Sequence, residues 1–301
     1  MVRFFIANDF NLILKSNKQR GLPVAIVINP ISPVAFSVFG IPVRWYALAY
    51  IAGFIIGFYL LKYLIGRDDA QIKLNKKQAD DFLTAIVLGV IIGGRIGYVL
   101  FYNLSYFIGN PLEIFALWHG GMSFHGGLIG VIVATVLFVR AQKFSNASVA
   151  QNSFRMLDLM AVVTPIGLGL GRIANFINME VMGRFTTSLL GIVFVGGPQS
   201  PRHPSPLYEA TLEGFVLFII MWLLYTKTNL KMHAGALGGM LCMLYAVFRI
   251  FCEQFRQPDA QIGFLTSWGL TMGQLLSGCL FVLGAGVLCY AMKYPISGHP
   301  D

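Results

Sequence analysis

Charge is scarce in this 301-residue chain: Asp, Glu, Lys and Arg make up 12% of it, against 56% hydrophobic residues. That balance excludes a soluble globular domain. Its four cysteines, Cys242, Cys252, Cys279 and Cys289, all fall in apolar runs without Cys-x-x-Cys spacing. They read as small buried hydrophobes, neither disulfides nor metal ligands. No serine nucleophile elbow and no Cys–His pair is evident. GLGLG at 167–171 lacks the Gly-x-Gly-x-x-Gly spacing and follows no strand, which rejects a dinucleotide fingerprint. Residues 1–43 are interrupted by Pro23, Pro30, Pro33, Gly40 and Pro42, and show no small-residue cleavage site behind an apolar core. A signal peptide is therefore not expected. Neither a cofactor nor a metal is called for.

What the chain has is long apolar stretches, at about 44–65, 82–102, 119–140, 156–176, 207–226, 234–255 and 268–292. Each approaches the length needed to cross a hydrocarbon core of ~30 Å. The expected fold is an all-α polytopic membrane protein with seven transmembrane helices. Residues 1–43 form a tail and interfacial segment, 44–292 the seven-helix domain, and 293–301 a cytoplasmic tail. The net charge of +9 sits mostly in short connections, where topology explains it, so nucleic acid is not an expected partner. Arg67, Lys73, Lys76 and Lys77 follow the first stretch, Arg140, Lys143 and Arg155 flank the connection after the third, and Lys227 and Lys231 follow the fifth. These connections are expected inside, with the N-terminus outside and the C-terminus cytoplasmic. The basic tail residues Arg3, Lys15, Lys18 and Arg20 run against that assignment.

Several charged residues interrupt the apolar runs. GLGLGRIANFINMEVMGR at 167–184 carries Arg172, Asn175, Asn178, Glu180 and Arg184. An arginine at bilayer depth costs roughly 2.5–3.5 kcal/mol on insertion scales, so it normally faces a wet cavity, a partner or an anionic ligand. Helical geometry puts Arg172 and Asn175 on one side, with Gly183 if the helix lasts that far. In YAVFRIFCEQFRQPD at 245–259, Tyr245, Arg249, Glu253 and Arg256 fall along one helix face. An Arg249–Glu253 salt bridge is the structural reading of that stripe; it leaves Tyr245 and Arg256 unexplained. Arg95 lies among Gly89, Gly93 and Gly97, whose four-residue spacing lets helices approach closely, and should point into the bundle. Tyr46 has two readings, interfacial anchor or headgroup lining. His119 reads as structural; His125, flanked by Ser123 and paired glycines, carries a structural and a functional reading side by side. The connection at about 177–206 is long for a compact protein, which suits a lid or docking arm, and Leu189–Val195 within it suits a short strand.

Buried guanidinium forks match phosphate oxygens bidentately, and a phosphodiester would offset their charge alongside Asp158, Glu180 and Glu253. An anionic phospholipid is then the expected ligand, and paired arginines can stabilise charge developing on a leaving phosphate. A transporter or flippase for an anionic lipid is the alternative. It would be expected to show a repeat between halves, and no such internal symmetry is found.

HGGLIG at 125–130, GRIANFINMEVMGR at 171–184, HPSPLYEA at 203–210 and YAVFRIFCEQFRQPD at 245–259 resemble the motifs of the phosphatidylglycerol:prolipoprotein diacylglyceryl transferases. The likeness runs in order and spacing from about Val34 to the last apolar stretch. It implies an inner-membrane enzyme that moves the diacylglyceryl group of phosphatidylglycerol onto the lipobox cysteine thiol of a prolipoprotein, releasing glycerol phosphate. By similarity, Tyr46, His125, Arg172, Asn175, Glu180, Gly183, Tyr245 and Arg249 match the family's functional positions, and Arg172 its phosphatidylglycerol-binding arginine. Arg95, Glu253 and Arg256 join Arg172, Asn175, Glu180, Gly183 and Arg249 as expected substrate-binding residues; His125, Arg172, Arg249, Tyr245 and Tyr46 are the expected catalytic set. Two candidates stand for the base that activates the thiol, His125 and an arginine-activated group. Pro206 replaces the glutamine of the family's HPxQLYE, and the basic tail of about 22 residues precedes the family's usual start.

Overall fold

The computed structural model describes residues 3–4, 13–15, 25–67, 70–144, 147–196, 200–258, 263–267 and 269–294. Most of the tail calls, on residues 1–22 and 293–301, fall outside these, as do Pro198 in the connection after Ile177 and Asp259 at the end of the fourth motif. The helices are α1 (Trp45–Ile65), α2 (Lys76–Tyr102), α3 (Leu104–Gly109), α4 (Phe124–Gln142), α5 (Val149–Ile177), α6 (Ser205–Glu209), α7 (Leu217–Lys227), α8 (Ala236–Cys252) and α9 (Met272–Lys293). A π-helical segment, Ala210–Val216, joins α6 to α7. Among the described residues, six helical stretches are long and apolar enough to cross a membrane: α1, α2, α4, α5, Ser205–Lys227 and α9. α8 is apolar but has only 17 residues, because the chain leaves the helix and turns at Glu253–Phe255. The chain is a mostly helical, polytopic membrane protein.

It is not all-α. Among the described residues, two three-stranded sheets correct that expectation, and both use the segment expected to lie flat at the interface. The strands are β1 (Arg3–Phe4), β2 (Ile13–Lys15), β3 (Ala25–Ile28), β4 (Val34–Val38), β5 (Ile41–Arg44) and β6 (Ile192–Phe194). One sheet runs β1-β4-β5, antiparallel throughout; the other runs β2-β3-β6, with β3 and β6 parallel. The reason is local: AIVI, VAFSV and IPVR are short runs rich in β-branched residues, bounded by prolines. Phe39 and Gly40, at φ 49° and 83°, make the two-residue turn between β4 and β5. β6 is the strand expected within Leu189–Val195.

The chain forms two compact units. One gathers residues up to Tyr59, Ala161–Leu230 and Leu237–Tyr290; the other Leu60–Met160, Lys231–Ala236 and the residues from Ala291. In the second unit α2 starts with a capping box: Asn75 and Gln78 each accept the other's backbone N–H at 2.9 Å. α2 packs on α4 through glycines, as the four-residue spacing predicts. A Cβ on Gly89 would lie 2.6 Å from the Gly130 carbonyl oxygen, and one on Gly97 2.7 Å from the Gly126 Cα. Asp158 accepts the Gly235 backbone N–H at 2.7 Å; a structural partner occupies the carboxylate expected to offset arginine charge. In the first unit α5 meets the π-helical segment at Gly169 and Gly214, again without room for a side chain.

Candidate active site

The apolar first unit places six charged side chains together. Arg172 comes from α5, Glu209 from the end of α6, Glu213 from the π-helical segment, Arg249 from α8, and Glu253 and Arg256 from the turn after it. The Arg172 Nε lies 2.8 Å from Glu209 Oε2, and its Nη2 lies 3.3 Å from Glu213 Oε2. The Arg249 Nη1 is 3.1 Å from Glu209 Oε2 and 3.5 Å from Glu213 Oε1, while its Nη2 pairs with Glu253. Arg256 reaches Glu209 at 3.3 Å and Glu253 at 3.8 Å. Thr271 donates its hydroxyl to Glu253 at 2.9 Å. Side-chain exposure is 1% for Glu209 and 0% for Glu213, against 21% for Arg172. The arginine has the open side.

Burying a lone arginine is prohibitive, and burying it against carboxylates is tolerable only when charges and hydrogen bonds are matched. Here three guanidiniums meet three carboxylates, and Glu209 touches all three arginines. The predicted Arg249–Glu253 pair exists as one edge of this network, which also accounts for Arg256. Glu209, which the sequence places at the outer end of the fifth apolar stretch, and Glu213 are the members absent from the expected site residues. The signal was present: two carboxylates four residues apart enter an apolar stretch, the same anomaly that singles out Arg172 and Arg249.

The loop after α5 is held as tightly. α5 ends at Ile177, so Gly183 does not continue its face, contrary to the extended-helix possibility. Asn175 and Asn178 donate their amides to Glu180 at 3.0 and 3.3 Å. Met179 and Val181 both sit at φ 57°, a region that opposes a β-branched side chain. Ser205 donates to the Val181 carbonyl at 2.9 Å and helps fix the strained loop. Gly183 has no alternative residue: a Cβ there would lie 2.5 Å from the His203 carbonyl oxygen and 2.6 Å from that of Phe255. Arg184 donates to the carbonyls of Arg256 and Glu253 at 2.9 and 3.2 Å, tying the loop to the end of α8.

Tyr245 interacts electrostatically with Arg172, Arg249, Glu209 and Glu213, so it borders the cluster. Tyr46 accepts the Tyr50 hydroxyl at 3.2 Å, and Tyr50 in turn interacts with Arg172 and Glu180. Both tyrosines therefore belong with this side of the first unit.

His125 and Arg95 belong to the second unit. His125 is exposed in the first turn of α4, which Ser123 caps by accepting the Gly126 N–H at 3.1 Å, and its ring meets Phe124 edge-on. His119 pairs with Glu113 at 2.9 Å, in keeping with its structural reading. Arg95 is buried, as expected, but every N–H it owns goes to backbone. Nε donates to Ile114 O at 2.8 Å, Nη1 to the carbonyls of Gly120 and Gly121, and Nη2 to those of Glu113 and Ala116. With five donors on five carbonyls, Arg95 organises the 113–121 segment and keeps no fork for a phosphate. Pro206 is buried in the first turn of α6, where a missing N–H is harmless.

A family model described as prolipoprotein diacylglyceryl transferase matches residues 33–290. This chain belongs to the prolipoprotein diacylglyceryl transferase family. A relative from Rhodospirillum rubrum is 47% identical over 270 residues, 89% of this chain and 95% of its own length. Relatives from Rickettsia canadensis and Azospirillum brasilense are each 46% identical, covering 88% and 90% of this chain and 98% of their own lengths. All three carry the name phosphatidylglycerol–prolipoprotein diacylglyceryl transferase. The matched region contains the whole arginine–glutamate cluster and the α4 histidine.

Proposed function

We propose that this chain transfers the diacylglyceryl group of phosphatidylglycerol to the lipobox cysteine thiol of prolipoproteins, making a thioether and releasing glycerol phosphate. The supporting observation is the buried cluster in which Arg172 and Arg249 share Glu209 and Glu213 within an apolar unit. Arg172 and Arg249 bind the phosphate and stabilise the charge that builds on it as the carbon–oxygen bond breaks. Asn175 donates to the headgroup, with Glu180 orienting its amide. Tyr46 and Tyr245 line the same side, and Glu253, Arg256 and Gly183 hold the cluster's frame.

The nucleophile belongs to the substrate. A free thiol with a pKa of about 8.5 is only a few per cent ionised at neutral pH, so a base raises the rate, with His125 and an arginine-activated group as the two candidates for it. The topology that fits the basic connections is seven passes with α8 as the short one, N-terminus outside and C-terminus inside, in the bacterial inner membrane. The connection containing β6 then forms an external arm. Domain limits follow: 44–292 as the catalytic membrane domain, with tails on either side.

Purified protein given phosphatidylglycerol vesicles and a lipobox peptide should raise the peptide mass by one diacylglyceryl unit at its cysteine, with glycerol phosphate released. Movement of lipid between leaflets without a covalent adduct would favour the flippase reading instead.

A further inference from the structure

Glu213 occupies the π-helical segment and has no exposed side-chain surface. Arg172 faces it from α5 and Arg249 from α8, at 3.3 and 3.5 Å. Glu209 on its own helix, and Tyr245 and Cys252 on α8, are the other titratable groups that interact with it. Glu253 and Arg256 complete the cluster through Arg249 and Glu209. In the fully ionised cluster the three positive and three negative charges cancel. A phosphodiester entering between Arg172 and Arg249 adds an uncompensated negative charge to a desolvated site, which is strongly unfavourable. Arg184, the next guanidinium along the chain, is engaged with backbone carbonyls.

The three carboxyls are not held equally. Glu209 is within 2.8, 3.1 and 3.3 Å of three arginines. Glu253 pairs with Arg249 and accepts the Thr271 hydroxyl. Glu213 has two arginine contacts, both longer than 3.2 Å, and its buried Oε1 accepts no hydrogen bond. Glu209 Oε2 and Arg249 Nη1 likewise make no well-aligned hydrogen bond, but they lie 3.1 Å apart as an ion pair, closer than the 3.5 Å between Arg249 Nη1 and Glu213 Oε1. Of the three carboxyls, Glu213 loses least by accepting a proton.

We propose that Glu213 takes up one proton when the headgroup phosphate binds between Arg172 and Arg249, so that substrate entry is coupled to neutralisation of this carboxyl. The coupling rests on the transferase reading above. It also balances the transfer step. The thiol proton passes to the base, sulfur bonds to the glycerol carbon, and the carbon–oxygen bond to phosphate breaks. The phosphate dianion so formed takes the proton from Glu213 and leaves as the glycerol phosphate monoanion, restoring the carboxylate.

The test is calorimetric titration of the full-length, detergent-solubilised protein with dioctanoyl phosphatidylglycerol, in buffers of different ionisation enthalpy. One proton should be taken up per lipid, and affinity should weaken about tenfold per pH unit over the coupled range. Glu213→Gln should bind with no proton uptake and a flat pH dependence. Lipid binding without proton uptake in the wild type, or unchanged uptake in Glu213→Gln, overturns the proposal. If Glu213→Gln does not fold, the wild-type titration still tests the proposal, because binding without proton uptake overturns it. Absence of both lipid binding and peptide modification would instead overturn the transferase reading, whereas transfer accompanied by proton-free binding overturns the coupling alone.

Discussion

Arg95 and Arg172 look alike in sequence, one arginine each in an apolar run, and differ entirely in what their guanidiniums touch. Arg95 spends five donors on the carbonyls of 113–121, whereas Arg172 keeps a partly open fork beside two buried carboxylates. Arg95→Ala should therefore act through the fold: each buried carbonyl left unpaired costs roughly 1–3 kcal/mol unless water replaces the donor. Faster proteolysis within 110–121 and a lower melting temperature would report it, and unchanged values would contradict it. Gly183→Ala should also destabilise, by about 1–3 kcal/mol, because a methyl there overlaps two carbonyl oxygens. A thermal shift indistinguishable from wild type would refute that packing. The arginines were legible in the sequence because a charge in an apolar run is conspicuous whatever its partner. Arg95's role was not, since its partners are backbone carbonyls supplied by residues that carry no side-chain signal. Glu213 carries the same signal, a charge in an apolar run, but its facing is not legible, because the π-helical segment departs from the α-helical period.

At the scale of elements, the connection after α5 is tied down at both ends. Ile26 donates its N–H to Gly191 at 2.8 Å and Val195 donates to Ile28 at 3.0 Å, so β3 and β6 hold the arm from the N-terminal segment. Ile26→Pro removes the first of these bonds and should expose Arg184 and Arg202 to trypsin while α5 stays helical; an unchanged digestion pattern would show the pairing to be unimportant. At the other end, the His203 ring nitrogen meets the Tyr208 hydroxyl at 3.2 Å and its ring packs edge-on against Phe255. Partial burial lowers the His203 pKa from 6.5, favouring the neutral ring. The unfolded chain therefore binds the extra proton first. The resulting stability is present in full above about pH 6.5 and is lost as pH falls through that value towards the folded pKa. Arm protection against trypsin or hydrogen exchange should weaken from pH 7 to 5 in the wild type and stay flat in His203→Phe. The helices were largely legible, since runs of spanning length admit little else. The sheets were not: four- and five-residue apolar strands next to prolines look the same as an interfacial coil until a distant partner such as β6 is in place.

For the molecule as a whole, two features converge on one reading: a polytopic helical body of the diacylglyceryl transferase family, and a charge-balanced cluster buried in its first unit. Topology is testable independently of catalysis. Single cysteines placed at Lys73 and at Leu189, in a background with the four native cysteines replaced, should label from opposite faces of the membrane. Labelling from the same face would overturn the orientation drawn from the basic connections. Arg172 is the residue proposed to handle the lipid phosphate, and one measurement addresses that role directly. Diacylglyceryl transfer to a lipobox peptide should be compared between wild type and Arg172→Ala at matched membrane insertion. Losing a preorganised donor to developing charge lowers turnover by about 10²–10³-fold. Arg172→Ala should show at least that loss in thioether formed and glycerol phosphate released, while transfer at the wild-type rate would contradict the phosphate role.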